Sequence, residues 1–355
     1  MATFVMAGGG SGGHVFPGLA VARELSSRGH SVRFIGTERG MESKLVPAAG
    51  FALDRIEIGG LNRVGFRKML QSLGEMPSSV WQSARLLARA KPDAVFSTGG
   101  YVAGPVLIAA LWKRIPVVVM EPNAIPGFTH RKLGRFVARA LVSFETSAKW
   151  FPEGRTEVTG LPVREEFFSV AERSPGKPLN VLITGGSQGS RTLNRASEES
   201  WPLWPKSSVR LIHQTGRNAF EELAPRFRDS GMDGEILPFI DDMPKMFAQA
   251  DLMVCRSGMG TVTELAASGK PAILVPLPTA SDQHQLRNAE AFAKAGAGIV
   301  VLDSEMTGVR LVEEVLRLTA NPEKLIEMGR SARKLAWPGA AQRAADVLES
   351  MVSSR

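Results

Sequence analysis

Residues 5–13 read Val5-Met6-Ala7-Gly8-Gly9-Gly10-Ser11-Gly12-Gly13, and residues 182–190 read Leu182-Ile183-Thr184-Gly185-Gly186-Ser187-Gln188-Gly189-Ser190. Each is an apolar run that ends in glycines and leads into a segment of helical period: a strand, a tight turn, a helix. Glycine at such a turn lets the backbone take positive φ and approach a ligand, and the free N–H groups at the helix start favour an anion. Each loop also reads more simply as a tight turn with no ligand. The second copy restarts a pattern that the first began, which makes a weak internal repeat and predicts two α/β domains.

Working outward from the first loop, strand-like runs at 3–7, 32–35, 94–97 and 117–120 alternate with a helix over 18–27 and a segment at 102–112. After Pro162 and a loop rich in Ser, Pro, Gly and Lys at 173–178, strands are expected at 180–184, 210–214, 234–238, 252–255 and 272–275. This alternation is that of parallel sheets with crossover helices. The fold class is therefore α/β, with two Rossmann-like, doubly wound domains in tandem joined near 160–178. The last segment, 340–352, carries Ala344, Val347, Leu348 and Met351 on one face and fits either domain.

Composition narrows the function classes. The 355 residues, 44% hydrophobic and 22% charged, exclude disorder and coiled coil and suffice for two cores. One cysteine, Cys255, excludes an intramolecular disulfide, a cysteine zinc cluster and a dithiol couple. The start of the chain lacks a basic segment followed by a long apolar one, so no signal peptide is expected. The longest weakly polar run, 102–112, holds Gly104 and Pro105 and falls short of the ~18–20 residues needed to cross a bilayer. A cytoplasmic protein that does not span a membrane is the expectation. The net charge of +8 is uneven: residues 1–165 hold 21 basic against 12 acidic side chains, the remainder 22 against 23. That excess points to a local anionic partner, whether nucleic acid, an anionic membrane or a phosphorylated substrate, although a well-solvated basic surface gives the same count.

The first loop overlaps the dinucleotide fingerprint, with Glu38 ~20 residues beyond it where a ribose-binding acid is expected. Three features oppose simple NAD binding: His14 directly after the glycines, the second loop, and a third glycine turn, Ser257-Gly258-Met259-Gly260. Beyond that turn, Glu264 falls early in a helix, where a carboxylate can accept both hydroxyls of a ribose while the preceding N–H groups receive a diphosphate. An acid complementing the helix dipole fits equally. Gln285 and Asn288, three apart on one helical face, offer amides suited to sugar hydroxyls or to water. There is no Walker lysine, no Gly-x-Ser-x-Gly elbow, no Asp-x-Asp, and no paired metal-ligand set among His14, His30, His130, His213 and His284. No metal and no cofactor is expected, so a sugar nucleotide's leaving group would rest on helix N-termini and backbone amides.

Five ordered motifs together resemble the bacterial peptidoglycan N-acetylglucosaminyltransferases, the MurG family: 8–18 (Gly8 through His14 to Gly18), 121–127 (Glu121-Pro122-Asn123-Ala124-Ile125-Pro126-Gly127), 185–190, 239–243 (Phe239-Ile240-Asp241-Asp242-Met243) and 255–264. The resemblance runs from residue 3 to about 345. It implies the glycosyltransferase-B architecture, two Rossmann-like domains facing a cleft, with residues 1–162 and 338–355 forming the acceptor and membrane-associating domain and 163–337 the donor domain. It also implies transfer of N-acetylglucosamine from UDP-N-acetylglucosamine to the C4 hydroxyl of lipid I, with inversion and without metal, giving lipid II for peptidoglycan synthesis.

Matched residue by residue, the resemblance places Ser187, Gln188 and Gly189 on the donor diphosphate, Ile240 at the uracil and Glu264 on the ribose. It makes Arg164 a nucleotide contact, Met259, Gly260, Thr261, Val262 and Thr263 the glycine turn, and Gln285 and Asn288 the readers of sugar hydroxyls. Ser11, Gly12, Gly13 and Asn123 would close over the sugar and exclude water. Pro122 stands where some relatives carry Gln, and the turn at Met259-Gly260 varies, which leaves open which amide meets which phosphate. For the base, His14 is the first candidate because an imidazole's ordinary pKa of ~6.5 suits the task; it can equally order the loop. Glu121 is the second, although a carboxylate before Pro122 is often only a turn residue.

The resemblance implies work at the cytoplasmic face of the bacterial inner membrane as a peripheral protein, with other cell-wall synthesis proteins as partners and no nucleic acid. Arg63, Arg67, Lys68, Arg85 and Arg89 interleave with Phe66, Met69, Leu70, Leu73, Met76, Val80 and Trp81, and Trp112, Lys113 and Arg114 extend the series. That is the composition of an interfacial patch, though each apolar residue could instead face a core. An NAD oxidoreductase leaves the second loop unused, and a nucleic-acid binder lacks an aromatic-basic motif. The nearest alternative is another UDP-sugar enzyme of the same architecture, a glycolipid glycosyltransferase or an epimerase.

Overall fold

Long apolar strands buried on both faces organise the chain into two compact units, Met1–Val163 with Trp337–Arg355, and Arg164–Ala336. The computed structural model describes residues 1–58, 66–280 and 283–353, with backbone alone for 66–73 and 353. Arg63 of the expected interfacial series thus lies outside the described residues, as do the side chains of Phe66, Arg67, Lys68, Met69, Leu70 and Leu73.

The first unit holds a parallel sheet of β1 (Thr3–Gly8), β2 (Ser31–Gly36), β3 (Ala52–Arg55), β4 (Ala94–Gly99), β5 (Val117–Glu121), β6 (Arg139–Val142) and β7 (Thr156–Val158), in the order β3-β2-β1-β4-β5-β6-β7. Met6 of β1 lies between Phe34 of β2 and Phe96 of β4. The strand order reverses between β1 and β4, and in open α/β sheets ligands bind outside the carboxyl ends of the strands at that reversal. The fold thereby sets the turn at 9–11 beside that at 99–101.

Helix Gly12–Ser27 begins earlier than the expected 18–27. Glycines and Pro17 argue for a late start, yet Pro17 lies near the helix start, where its missing N–H forgoes only one bond, to the Gly13 carbonyl. Helix Ala340–Ser353 packs against it with Ala344 and Leu348 fully buried. Arg28 reaches Asp346 at 2.6 Å and Glu349 at 2.8 Å, and Arg343 grips Glu157 with both arms at 2.6 and 2.7 Å.

The second unit repeats the plan with β8 (Leu179–Thr184), β9 (Val209–Gln214), β10 (Gly234–Leu237), β11 (Leu252–Cys255), β12 (Ala272–Leu274) and β13 (Gly298–Val300), all parallel, in the order β10-β9-β8-β11-β12-β13. Val181, Ile183, Leu211, Leu252, Val254 and Ile273 share one core cluster. The reversal here falls between β8 and β11, so residues 185–189 neighbour 256–258. Four strands lie where none was expected: β3, β6, β7 and β13. Among the described residues, no helix is long and apolar enough to cross a membrane.

Candidate active site

In the second unit, β8 ends at Thr184, whose Oγ1 accepts from the Gly186 N–H at 3.1 Å. The turn closes with the Gly189 N–H on the Gly186 carbonyl at 2.9 Å, so Gly189 donates within the loop. Gly189 has φ +72°, and a Cβ there would collide with the Thr215 carbonyl, so only glycine fits. Ser190 caps helix Arg191–Ser200 by accepting from the Leu193 N–H at 3.3 Å. Among the described residues no hydrogen bond is recorded for the N–H groups of Ser187 and Gln188. They and the open first turn of a ten-residue helix form an anion cradle.

Two residues that sequence reasoning passed over hold this cradle in place. Gln214, at the end of β9 and 1% exposed, donates Nε2 to the Gly186 carbonyl at 2.8 Å and accepts the Ile240 N–H at 3.1 Å. It joins the glycine loop to the 239–243 loop and takes up the Ile240 amide. Arg256 donates to Ser190 Oγ at 2.7 Å, to Asp303 Oδ1 at 2.5 Å, and to the carbonyls of Val275 and Pro276 at 3.1 and 3.3 Å. Arg256 falls within the 255–264 motif, but neither residue's spacing reveals its role, because each works through one side chain that bridges loops distant in sequence.

Helix Met259–Ser268 starts at an extended Gly258, leaving the N–H groups of Met259, Gly260 and Thr261 at its mouth while the Val262 N–H returns to the Gly258 carbonyl. Val262 is buried, and Thr263 Oγ1 donates to the Met259 carbonyl at 2.8 Å. Glu264 is half-buried. Desolvation pushes its carboxyl up to about 7, against the pull of the Arg164 guanidinium. Arg164 itself lies over the Phe167 ring at 5.1 Å. On helix His284–Lys294, Gln285 Oε1 accepts the Leu277 N–H at 3.0 Å. Asn288, fully buried, donates Nδ2 to the Ser257 carbonyl at 3.1 Å, and no partner for its Oδ1 is found among the described residues.

In the first unit, Ser11 occupies the N-cap position of helix Gly12–Ser27 without a side-chain capping bond, and its Oγ meets His14 Nδ1 at 3.1 Å. The His14 carbonyl accepts from Thr98 Oγ1 at 2.6 Å, and its ring borders Gly99, where a Cβ would lie 3.5 Å from Nε2. Gly12 and Gly13 form the first turn of the helix. Glu121, at the end of β5, is 2% exposed, and its two oxygens accept four hydrogen bonds. Oε1 takes the Asn123 N–H and Nδ2 at 2.9 and 3.2 Å; Oε2 takes the Gly127 N–H at 3.2 Å and meets His130 Nδ1 at 2.8 Å. A carboxylate so enclosed orders the 121–127 loop and holds Asn123. His130, 2% exposed and also beside Gly99, is a further residue that sequence reasoning left unassigned. No group of three or more potential metal ligands is found among the described residues.

Two parallel α/β units, each with a glycine loop at its strand-order reversal, define a glycosyltransferase-B protein. Residues 4–142 match the glycosyltransferase family 28 N-terminal domain and residues 180–349 the family's C-terminal domain, and the chain belongs to that family. A relative from Solibacter usitatus (strain Ellin6076) is 57% identical over 99% of this chain and 96% of its own length. One from Myxococcus xanthus (strain DK1622) is 41% identical over 98% and 92%. Both are named UDP-N-acetylglucosamine--N-acetylmuramyl-(pentapeptide) pyrophosphoryl-undecaprenol N-acetylglucosamine transferase. The crystal structure of Acinetobacter baumannii MurG superposes with a TM-score of 0.79 at 33% identity, covering 99% of this chain and 100% of that one. A UDP-GlcNAc 2-epimerase from Neisseria meningitidis, bound to UDP-GlcNAc, shares the fold at 15% identity, with a TM-score of 0.69.

Proposed function

We propose that the protein transfers N-acetylglucosamine from UDP-N-acetylglucosamine to the C4 hydroxyl of lipid I, inverting the anomeric carbon and giving lipid II. The observation that carries this reading is the full-length likeness, 57% identical over 99% of the chain, to a transferase named for that donor and acceptor. The donor belongs mainly to the second unit, with Ser11, Gly12, Gly13 and Asn123 of the first closing over its sugar. The Ser187 and Gln188 amides and the mouths of helices Arg191–Ser200 and Met259–Ser268 receive the diphosphate, and their fixed dipoles stabilise the charge that develops as UDP leaves. Glu264 accepts the ribose hydroxyls, Arg164 neutralises the nucleotide, and Ile240 lies against the uracil. Gln285 reads the sugar, and Asn288, expected to do the same, is fully enclosed and instead holds the Ser257 carbonyl at the glycine turn.

His14 takes the proton from the acceptor hydroxyl as the new glycosidic bond forms. Its Nδ1 contact to Ser11 fixes the ring and directs Nε2 to the reaction. The enclosed carboxylate of Glu121 positions Asn123 and the loop, and that role, rather than proton abstraction, fits its four hydrogen bonds. The protein works as a peripheral protein on the cytoplasmic face of the inner membrane, through Trp81, Trp112 and the cations around them.

Transfer of labelled N-acetylglucosamine to a short-chain lipid I analogue, with EDTA present, tests the whole reading. Expected are metal-independent transfer, weakened donor binding in Glu264→Ala, and lost turnover with retained donor binding in His14→Ala. Donor binding without disaccharide formation would leave the donor site standing and remove the acceptor assignment.

A further inference from the structure

Glu42 is fully buried and takes no direct part in the proposed chemistry. It opens helix Glu42–Ala48, and both carboxylate oxygens point at the loops that end β1 and β2. Oε2 accepts the Gly10 N–H at 2.8 Å; Oε1 accepts the Thr37 N–H at 3.0 Å and Thr37 Oγ1 at 2.8 Å. Thr37 Oγ1 is in turn 2.9 Å from the Tyr101 hydroxyl, on the loop that ends β4. One carboxylate thus links three turns at the strand-order reversal. The surroundings are cut to its shape. A Cβ on Gly9 would lie 2.5 Å from its carboxyl carbon, one on Gly36 would lie 2.6 Å from its Cγ, and one on Gly40 would fall on the carboxylate itself.

Burying a carboxylate costs several kcal/mol even when donors surround it, and a well-packed apolar side chain often does the purely structural task as well. The position of this one indicates what it governs. Gly10 has φ +89°, and a Cβ there would lie 2.7 Å from the Tyr101 ring, so the loop is held between the ring and the carboxylate. The Gly10 N–H, which in a dinucleotide fold would be free for phosphate, is already committed to Glu42. The next residue is Ser11, which contacts His14 Nδ1.

We propose that Glu42 is a positioning residue: its carboxylate fixes the 9–11 turn and thereby the Ser11–His14 pair, and through Thr37 it seats Tyr101 against the same turn. This rests on the reading of His14 as the base. An amide of the same size cannot substitute, because Nε2 would meet either the Gly10 or the Thr37 N–H donor to donor. Displacement of a catalytic group by about 1 Å costs roughly 100-fold in rate.

The test compares Glu42→Gln with wild type in turnover of a lipid I analogue, in UDP-N-acetylglucosamine affinity by calorimetry and in melting. The expected result is a kcat lower by roughly 10- to 100-fold with donor affinity within about twofold, since the proposed contacts to the UDP moiety lie on the other unit. Gly40→Ala should lower kcat similarly in wild type and cost nothing further in Glu42→Ala, where its methyl enters vacated space. Tyr101 is the only tyrosine in the chain, so its tyrosinate absorbance reports the site directly. Burial and the nearby Glu42 charge hold its phenol above the usual range, and its titration midpoint should fall in folded Glu42→Gln. A Glu42→Gln kcat within twofold of wild type overturns the proposal, as does a kcat loss matched by an equal loss of donor affinity. If Glu42→Gln loses turnover while His14→Ala keeps it, the base assignment fails and the pinned turn stands.

Discussion

Glu264 lies in the second turn of helix Met259–Ser268, where low solvation holds its carboxyl up to about 7 despite Arg164. In the free protein such a raised group favours the protonated form. Its contribution to stability is fully present below its ordinary 4.5 and is lost as pH rises through about 7. Ribose hydroxyls donating to the carboxylate, as proposed, would favour its charged form, so donor binding should release a proton below neutrality. UDP-N-acetylglucosamine affinity should therefore weaken as pH falls below about 7, by up to tenfold per unit, and should be lower but flat with pH in Glu264→Gln. Calorimetry in two buffers of different ionisation heat checks this; no proton release by wild type at about pH 6 would remove the ribose assignment. Glu264 stood out in the sequence as a candidate because it follows a glycine turn at fixed spacing. Glu42 and Gln214 were not, since their meaning lies in which distant N–H groups they meet.

At the scale of elements, most of the sheet was readable and its margins were not. The central strands β1, β4, β8 and β11 are apolar runs buried on both faces, the pattern parallel sheets impose. β3 and β7 are edge strands of three or four residues and only partly buried, so they leave no apolar run to read, whereas β13, also an edge strand, opens the short run Ile299-Val300-Val301-Leu302, which was not read as a strand. β6 is buried but only four residues long and begins with Arg139. The turns between elements follow the same division: the glycines announce the turn at 185–189, while the clamp that fixes it, Arg256, lies 66 residues from its partner Ser190. Arg256→Lys keeps the charge but loses the fork that reaches Ser190, Asp303 and two carbonyls at once. We expect it to destabilise the second unit by roughly 1–3 kcal/mol in urea unfolding and to weaken donor binding about tenfold. Unchanged donor affinity would mean that the cradle holds its shape without the clamp.

Over the whole molecule the basic excess belongs to residues 1–165, and part of it gathers around exposed aromatic rings. On helix Phe66–Ala90 the buried face is Ser79, Ser83, Ala84 and Leu87; Val80, expected at an interface, packs on the core instead. Trp81, Arg85 and Arg89 form an outward row, with the Arg85 guanidinium 4.7 Å from the Trp81 ring centroid. Trp112, 73% exposed, ends helix Ala103–Trp112, which packs beside Phe66–Ala90 and is followed by exposed Lys113 and Arg114. Rings with cations beside them suit a surface that is apolar beneath and anionic above. Each cation near anionic lipid contributes about 1 kcal/mol, and the attraction fades as the screening length falls from ~10 Å at 0.1 M salt to ~3 Å at 1 M. Vesicles containing phosphatidylglycerol should therefore bind the protein at low salt and release most of it at high salt. Lys113→Glu with Arg114→Glu should weaken that binding by at least tenfold, because each charge reversal removes an attraction and adds a repulsion. Trp112→Ala should instead remove the fraction that resists salt. Donor affinity should stay unchanged in both variants, since none of the residues proposed to contact the donor is among those changed. Equal binding to neutral and anionic vesicles, or binding indifferent to all these changes, would place the membrane contact elsewhere on the chain.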